Sequence, residues 1–175
     1  VTSPNLTVAL TFDDGPGPST ERLLDVLLQH GARATFFVLG RNLRGEALDR
    51  DGPRAVQIAA RAVREGHWLG NHTVTHAPSL TERQLLDEVA ECDALIHGCY
   101  ARSGRPGPEL IPVRLPFGLG REDLPRAYGA LKRIGRPHCH WTGAFGDWRP
   151  GRTASAIAAE MLFHVQHMWG EGERP

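Results

Sequence analysis

The stretch ALTFDDGPGPST, residues 9–20, decides how this chain is read. An apolar run with strand character stops at two adjacent carboxylates, Asp13 and Asp14, and then at alternating glycine and proline. Asp followed by Gly-Pro is ordinary turn chemistry at a strand end, so the stretch alone establishes a β-strand running into a loop. The adjacency raises a further question, because each charge makes the other costlier to bury.

Outward from this point, strand-like and helix-like segments alternate to the end of the chain. Residues 6–12 form a β-rich run. Thr20 to His30 is amphipathic, with Leu23, Leu24, Leu27 and Leu28 on one face and Gly31 at its end. ATFFVLG (34–40) is the next strand, and RNLRGEALDR (41–50) reads as a loop. A helix opens near Pro53, where a first-turn proline is tolerated, and runs through Val56, Ala59, Ala60 and Val63 to Gly66. HWLG (67–70) is the third strand, feeding the loop NHTVTHAPSL (71–80).

Thr81 opens another helix with a capping box, since Gln84 falls three residues later, and Leu85, Val89, Cys92 and Ile96 carry it to about Gly98. ELIPVRL (109–115) is the expected fourth strand, Asp123 to Ile134 a helix, HCHW (138–141) the fifth strand, and residues 153–169 a final helix. Successive strands separated by helices imply right-handed β-α-β units around a parallel sheet or barrel.

At 175 residues the chain has the size of one domain, with enough length to bury a core without staples. Its 20 basic and 20 acidic residues balance, so no strong field recruits nucleic acid or an anionic membrane. No apolar run approaches bilayer length. The three cysteines, Cys92, Cys99 and Cys139, form no C-x-x-C pair, and Cys92 and Cys99 stand too far apart along one helix for an unstrained disulfide.

The residues with chemical potential sit at strand ends, where open α/β sheets and barrels place their sites. Asp13 and Asp14 follow the first strand, His72 and His76 the third, Arg114 the fourth, Asp147 and Trp148 the fifth. A spacing of four lets both imidazoles face one ion if residues 72–76 make a helical turn. Two histidines and one carboxylate form a catalytic zinc set with a fourth position open to water.

TFDDGP, GNHTVTH, RLPFG and the Trp141–Asp147–Trp148 series occur in the order found in the polysaccharide deacetylase family, the NodB homology or carbohydrate esterase family 4 domain, which the chain resembles over essentially its whole length. The resemblance implies a distorted β/α barrel and a metal-dependent hydrolase that removes acetyl groups from sugars. By that likeness Asp14, His72 and His76 bind a divalent ion, most often Zn2+, with Co2+ or another transition metal also used. Asp13 is then the general base, Arg114 the arginine that orients it, and Asp147 a buttress for Arg114. The Pro116–Phe117 loop offers a backbone N–H to the oxyanion, Trp148 walls the acetyl pocket, and Trp141 is a neighbouring strand residue. The substrate implied is an acetylated amino sugar of chitin-like or peptidoglycan-like material, acted on by a monomer without nucleic acid or membrane insertion. The likeness points to a secreted or cell-envelope setting, and the chain carries no signal peptide of its own.

Two departures stand out. Ala144 occupies the place of an earlier aspartate in the family's Asp-Trp motif. The family's last Leu-x-His motif is matched in letters only by Leu162–His164, inside an amphipathic helix, so the strand with the final histidine is expected beyond Pro175 and the single domain (1–175) is expected to be C-terminally incomplete. Two other readings follow from that gap: an O-acetyl esterase acting on acetylated xylan, whose better leaving group depends less on an acid, and a weakly catalytic metal- and carbohydrate-binding relative.

Overall fold

The computed structural model describes residues 7–46, 52–121 and 123–172. They group into two compact units, one of Ala9–Cys139 and one containing Thr7, Val8 and residues 140–172. The larger unit is built from β1 (Leu10–Gly15), α1 (Thr20–Gln29), β2 (Ala34–Val38), α2 (Gly40–Arg44), α3 (Gly52–Arg64), β3 (Trp68–Asn71), α4 (Glu82–Ser103) and α5 (Leu124–Arg133). A 3-10 turn at Gly118–Gly120 precedes α5. The smaller unit carries α6 (Ala154–Gly172). No helix among the described residues is long and apolar enough to cross a membrane.

The expected α/β order holds, with parallel strands in the order β1-β2-β3. Phe12 pairs with Phe36, Phe36 with Leu69, and Val38 with Asn71, so the three strands reach the same rim together. The sheet then continues by single parallel bridges, Asn71 to Val113 and Val113 to His138. Among the described residues it is an open parallel wall, not a closed ring. The expected strands at 109–115 and 138–141 are thus each reduced to one bridging residue. Proline accounts for this: Pro112 and Pro137 offer carbonyls to Asn71 and Val113 but have no N–H to return.

One core cluster joins β2 and β3 to α1, α3 and α4 through Leu24, Leu27, Phe36, Val38, Ile58, Val63, Leu69, Cys92 and Ile96, with half-buried Leu10 and Phe12 of β1 packed against it. A second joins α4 and α5 through Leu85, Val89, Val113, Leu115, Ala130 and Leu131. At about 1.5–3 kcal/mol for each fully buried large apolar side chain, these clusters hold the helices on the sheet.

Several boundaries differ from expectation. β1 begins at Leu10, and residue 6 of the expected strand lies outside the described residues. Within the expected 41–50 loop, Gly40–Arg44 forms the short helix α2, closed by Gly45 at φ 79°, and residues 47–50 are not described. Five residues are too few for a helical period to register. The helix α4 does form the Thr81–Gln84 capping box but passes through Gly98 and ends at Gly104, which takes the left-handed φ of 76°. Cys99 and Tyr100 are buried and prolong the apolar face beyond Gly98. On α1, Leu28 is exposed and only Leu24 and Leu27 are buried. Cys92 and Cys99 are buried free thiols on α4, as their separation along one helix requires.

Candidate metal centre and active site

The two adjacent aspartates part company because the strand carrying them is irregular. Between Phe12 and Gly15 the β1–β2 register shifts, and Asp14 adopts the left-handed φ of 64°. An extra residue in one strand turns successive side chains away from strict alternation. Asp13 accordingly meets Arg114, whose Nη1 lies 2.8 Å from Asp13 Oδ1. Asp14 meets the histidines, with its Oδ1 3.3 Å from His72 Nε2 and 3.1 Å from His76 Nε2.

The loop that carries both histidines is not helical. His72 follows β3 directly and donates its backbone N–H to Val38 O, while Thr73 and His76 take positive φ of 66° and 59°. The expected helical turn is replaced by a backbone folded back on itself, and the imidazoles still converge, with ring centroids 5.3 Å apart. Glu88, nearly two turns into α4, holds this loop: Oε2 accepts the N–H groups of Val74 and Thr75, and Oε1 accepts the Thr75 hydroxyl. Buried Arg121, paired with Asp123, donates to Ala77 O just beyond.

Ligand atoms of Asp14, His72 and His76 all lie within 4.8 Å of one another, close enough to share one metal ion. The hydrogen bonding of His72 supports that use. Its Nδ1 is 2.6 Å from Arg114 O, and a carbonyl only accepts, so Nδ1 carries a proton and, in the neutral ring, Nε2 presents a lone pair. A lone pair facing a carboxylate oxygen is favourable only with a cation or proton between them, so the donor set fits a cation. Backbone support at the far nitrogen is the usual way a ligating histidine is oriented. Burial by itself would raise the Asp14 carboxyl, but when a proton and not a metal ion lies between the groups, hydrogen bonds from Nε2–H of the two imidazoles outweigh it and hold the carboxyl well below the usual carboxylate range.

Arg114 therefore serves two groups at once. Its carbonyl orients His72, and its buried guanidinium binds Asp13, Thr11 Oγ1 at 2.8 Å and Cys139 O at 3.0 Å. The guanidinium also lies 4.0 Å over the Phe37 ring. That ring needs Gly70, since a Cβ there would meet Phe37 Cδ1 at 2.5 Å. The result is a stack from β3 through β2 to the Asp13 carboxylate.

Pro116 is buried, and Phe117 follows with the left-handed φ of 63°, its ring 4.7 Å from that of His76. Asp147 and Trp148 lie in a turn of the smaller unit, where Trp148 is exposed with Arg149 5.8 Å over its ring. Trp141 stacks edge-on against His140 at 5.3 Å. His164 is inside α6, packed against Phe145, and its Nε2 is buried without a hydrogen-bond partner among the described residues. Asn42, Glu88 and the Arg121–Asp123 pair, which support the loops of the site, escaped the sequence reading. Asn42 lay in the segment read as loop, and Glu88 looked like any polar position on an amphipathic helix.

Residues 1–133 match the sequence profile of the family described as polysaccharide deacetylase. A chitooligosaccharide deacetylase of a Bradyrhizobium species is 34% identical over 161 residues, covering 87% of this chain and 64% of that protein. A peptidoglycan-N-acetylglucosamine deacetylase of Bacillus cereus is 38% identical over 163 residues, covering 89% of this chain and 53% of that protein. This chain thus spans between about half and two thirds of those two relatives. Among solved structures, the polysaccharide deacetylase Bc1974 from Bacillus cereus superposes with a TM-score of 0.68 at 30% identity, covering 95% of this chain and 74% of that one. The profile match takes in the Asp14, His72 and His76 cluster and the Asp13–Arg114 pair, and with it the chain belongs to the polysaccharide deacetylase family.

Proposed function

We propose that the chain is a metal-dependent hydrolase that removes acetyl groups from N-acetylated amino sugars of a chitin-like or peptidoglycan-like polysaccharide. One observation carries this reading: a three-residue metal-ligand cluster stands next to an aspartate clamped by a buried arginine. The names of its relatives, deacetylases of chitooligosaccharides and of peptidoglycan N-acetylglucosamine, support the choice of substrate.

Asp14, His72 and His76 would hold the ion, and imidazole with carboxylate suits Zn2+. Bound there, a divalent ion supplies Lewis acidity to water and to the acetyl carbonyl. Asp13 takes the proton from the attacking water. Arg114 occupies Oδ1, which leaves Oδ2 as the atom that receives it. The water oxygen bonds to the acetyl carbon and the carbonyl becomes an oxyanion; the C–N bond then breaks, the departing nitrogen takes the proton that Asp13 holds, and acetate is released. The Phe117 N–H, set by the buried Pro116 before it, donates to the oxyanion.

The test is acetate release from N-acetylglucosamine oligomers and from acetylated xylan, with zinc-loaded and chelator-treated protein. Chelator-sensitive release from the oligomers is expected, lowered about 10²–10⁴-fold in Asp13→Asn. Failure to release acetate from the oligomers with zinc present overturns the proposal, and release from xylan alone assigns the site to ester hydrolysis.

A further inference from the structure

We propose that Asn42 is the positioning residue that holds Asp14 in its ion-facing pose, as part of a four-residue clamp, residues 39–42, that ties the two ligand loops together. This rests on the reading of Asp14, His72 and His76 as a metal site. None of the four residues is a ligand or belongs to the quoted motifs.

Asn42 is fully buried. Its Nδ2 donates to Asp14 O at 2.8 Å and to Gly15 O at 3.0 Å. Both partners are carbonyls, so the amide nitrogen has to face them, and its two hydrogens are spent on consecutive residues of one turn. Asp14 sits at a φ of 64°, a conformation that a non-glycine residue keeps only when its surroundings impose it. The two bonds from Asn42 supply that constraint on its carbonyl side. Asn42 Oδ1 is buried with no hydrogen-bond partner among the described residues. Leucine has the same number and branching of heavy atoms and no unsatisfied acceptor, so shape alone does not account for asparagine here and the two donors do.

The neighbouring residues reach the other loop as well. Leu39 N–H donates to Gly15 O at 3.0 Å, Gly40 N–H to Thr73 O at 3.0 Å, and Arg41 N–H to Val74 O at 3.1 Å. The Arg41 guanidinium adds a bond to Thr75 O at 3.1 Å. A Cβ at Gly40 would stand 2.9 Å from Val74 Cγ2, so the contact is as close as glycine permits. The start of α2 thereby sets the separation between Asp14 and the two imidazoles, which is the quantity an ion senses.

Two variants test this. Asn42→Leu keeps the branched shape with somewhat more bulk and removes both donors, and Asn42→Ala removes both without adding bulk. Leu27→Ala, in α1 and away from the site, controls for lost stability. Each is titrated as the full chain with Co2+ alone, following the visible spectrum and the affinity, and its urea midpoint is measured. Both Asn42 variants should bind Co2+ about 10–100-fold more weakly, with an altered spectrum, as expected for loss of a ligand's support. Leu27→Ala should bind as the parent does even at an equal or lower midpoint. Parent-like affinity and spectrum in Asn42→Leu overturn the proposal, as does an equal loss in Leu27→Ala. If Asn42→Ala does not fold, Asn42→Leu decides alone; if neither folds while Leu27→Ala does, Asn42 is structural and the proposal fails. A parent protein that binds no Co2+ overturns the metal-site reading itself, and this inference with it.

Discussion

Arg114→Met should separate the two jobs that one residue performs. Methionine keeps much of the volume against the Phe37 ring and leaves the main chain in place, so the carbonyl that orients His72 Nδ1 is retained. What disappears is the guanidinium, with its bonds to Asp13, Thr11 Oγ1 and Cys139 O. Removing one partner of a buried ion pair costs about 3–5 kcal/mol. The lower end applies, because the Asp13 side chain is 31% exposed and can take water in exchange. The loss of about 3 kcal/mol should appear in urea denaturation of the full chain. Acetate release should fall within the range of about 10²–10⁴-fold that a positioned base contributes, in kcat more than in KM. Zinc affinity by calorimetry should be unchanged. A variant that loses its zinc together with its activity would show that His72 depends on the guanidinium and not on the carbonyl. A variant that keeps its activity would remove Asp13 orientation from the mechanism.

Three further outcomes follow from the packing. Glu88→Gln replaces an oxygen that grips the loop of His72 and His76 with an amide, and should cost about 1–3 kcal/mol in urea denaturation, with weaker zinc binding by titration. Gly70→Ala drives a methyl into Phe37 beneath Arg114, and should cost about 1–3 kcal/mol and lower acetate release while the zinc content measured by elemental analysis stays whole. His67 is buried and accepts the Ala34 N–H at Nδ1, and burial, aided by nearby Arg33 and Arg61, pushes its imidazole below the ordinary value. Above about pH 6.5 both folded and unfolded chains are neutral there; below it the unfolded chain takes up a proton that the folded chain refuses, so stability falls as pH drops towards the folded value. Urea midpoints of the parent and His67→Gln at pH 7.5, 6.5 and 5.5 should show a steeper acid loss in the parent, and parallel curves would refute this.

The helical and strand periods needed only neighbouring residues. The apolar spacing of Leu85, Val89, Cys92 and Ile96 and the Thr81–Gln84 box therefore announced α4, and the β-α alternation announced a parallel sheet. The residue types at strand ends likewise exposed Asp13, Asp14, His72, His76 and Arg114, because those side chains have chemistry that ordinary loops seldom need all together. The fourth and fifth strands misled, since their apolar letters outweighed the prolines that deny them a ladder.

What the chain's own letters determined, then, was the order of elements and the inventory of reactive groups, both of which depend on local spacing. Three things were decided only in the tertiary structure. The bulge and left-handed Asp14 split two adjacent carboxylates between an arginine and two imidazoles. The non-helical loop of His72 and His76 made them converge by a route their spacing did not suggest. Asn42 and Glu88 acquired their roles from partners 28 and 14 residues away. A local period records which face of an element is apolar, but a hydrogen bond between distant segments leaves no repeat in the sequence. It exists only once the sheet has brought its ends to one rim.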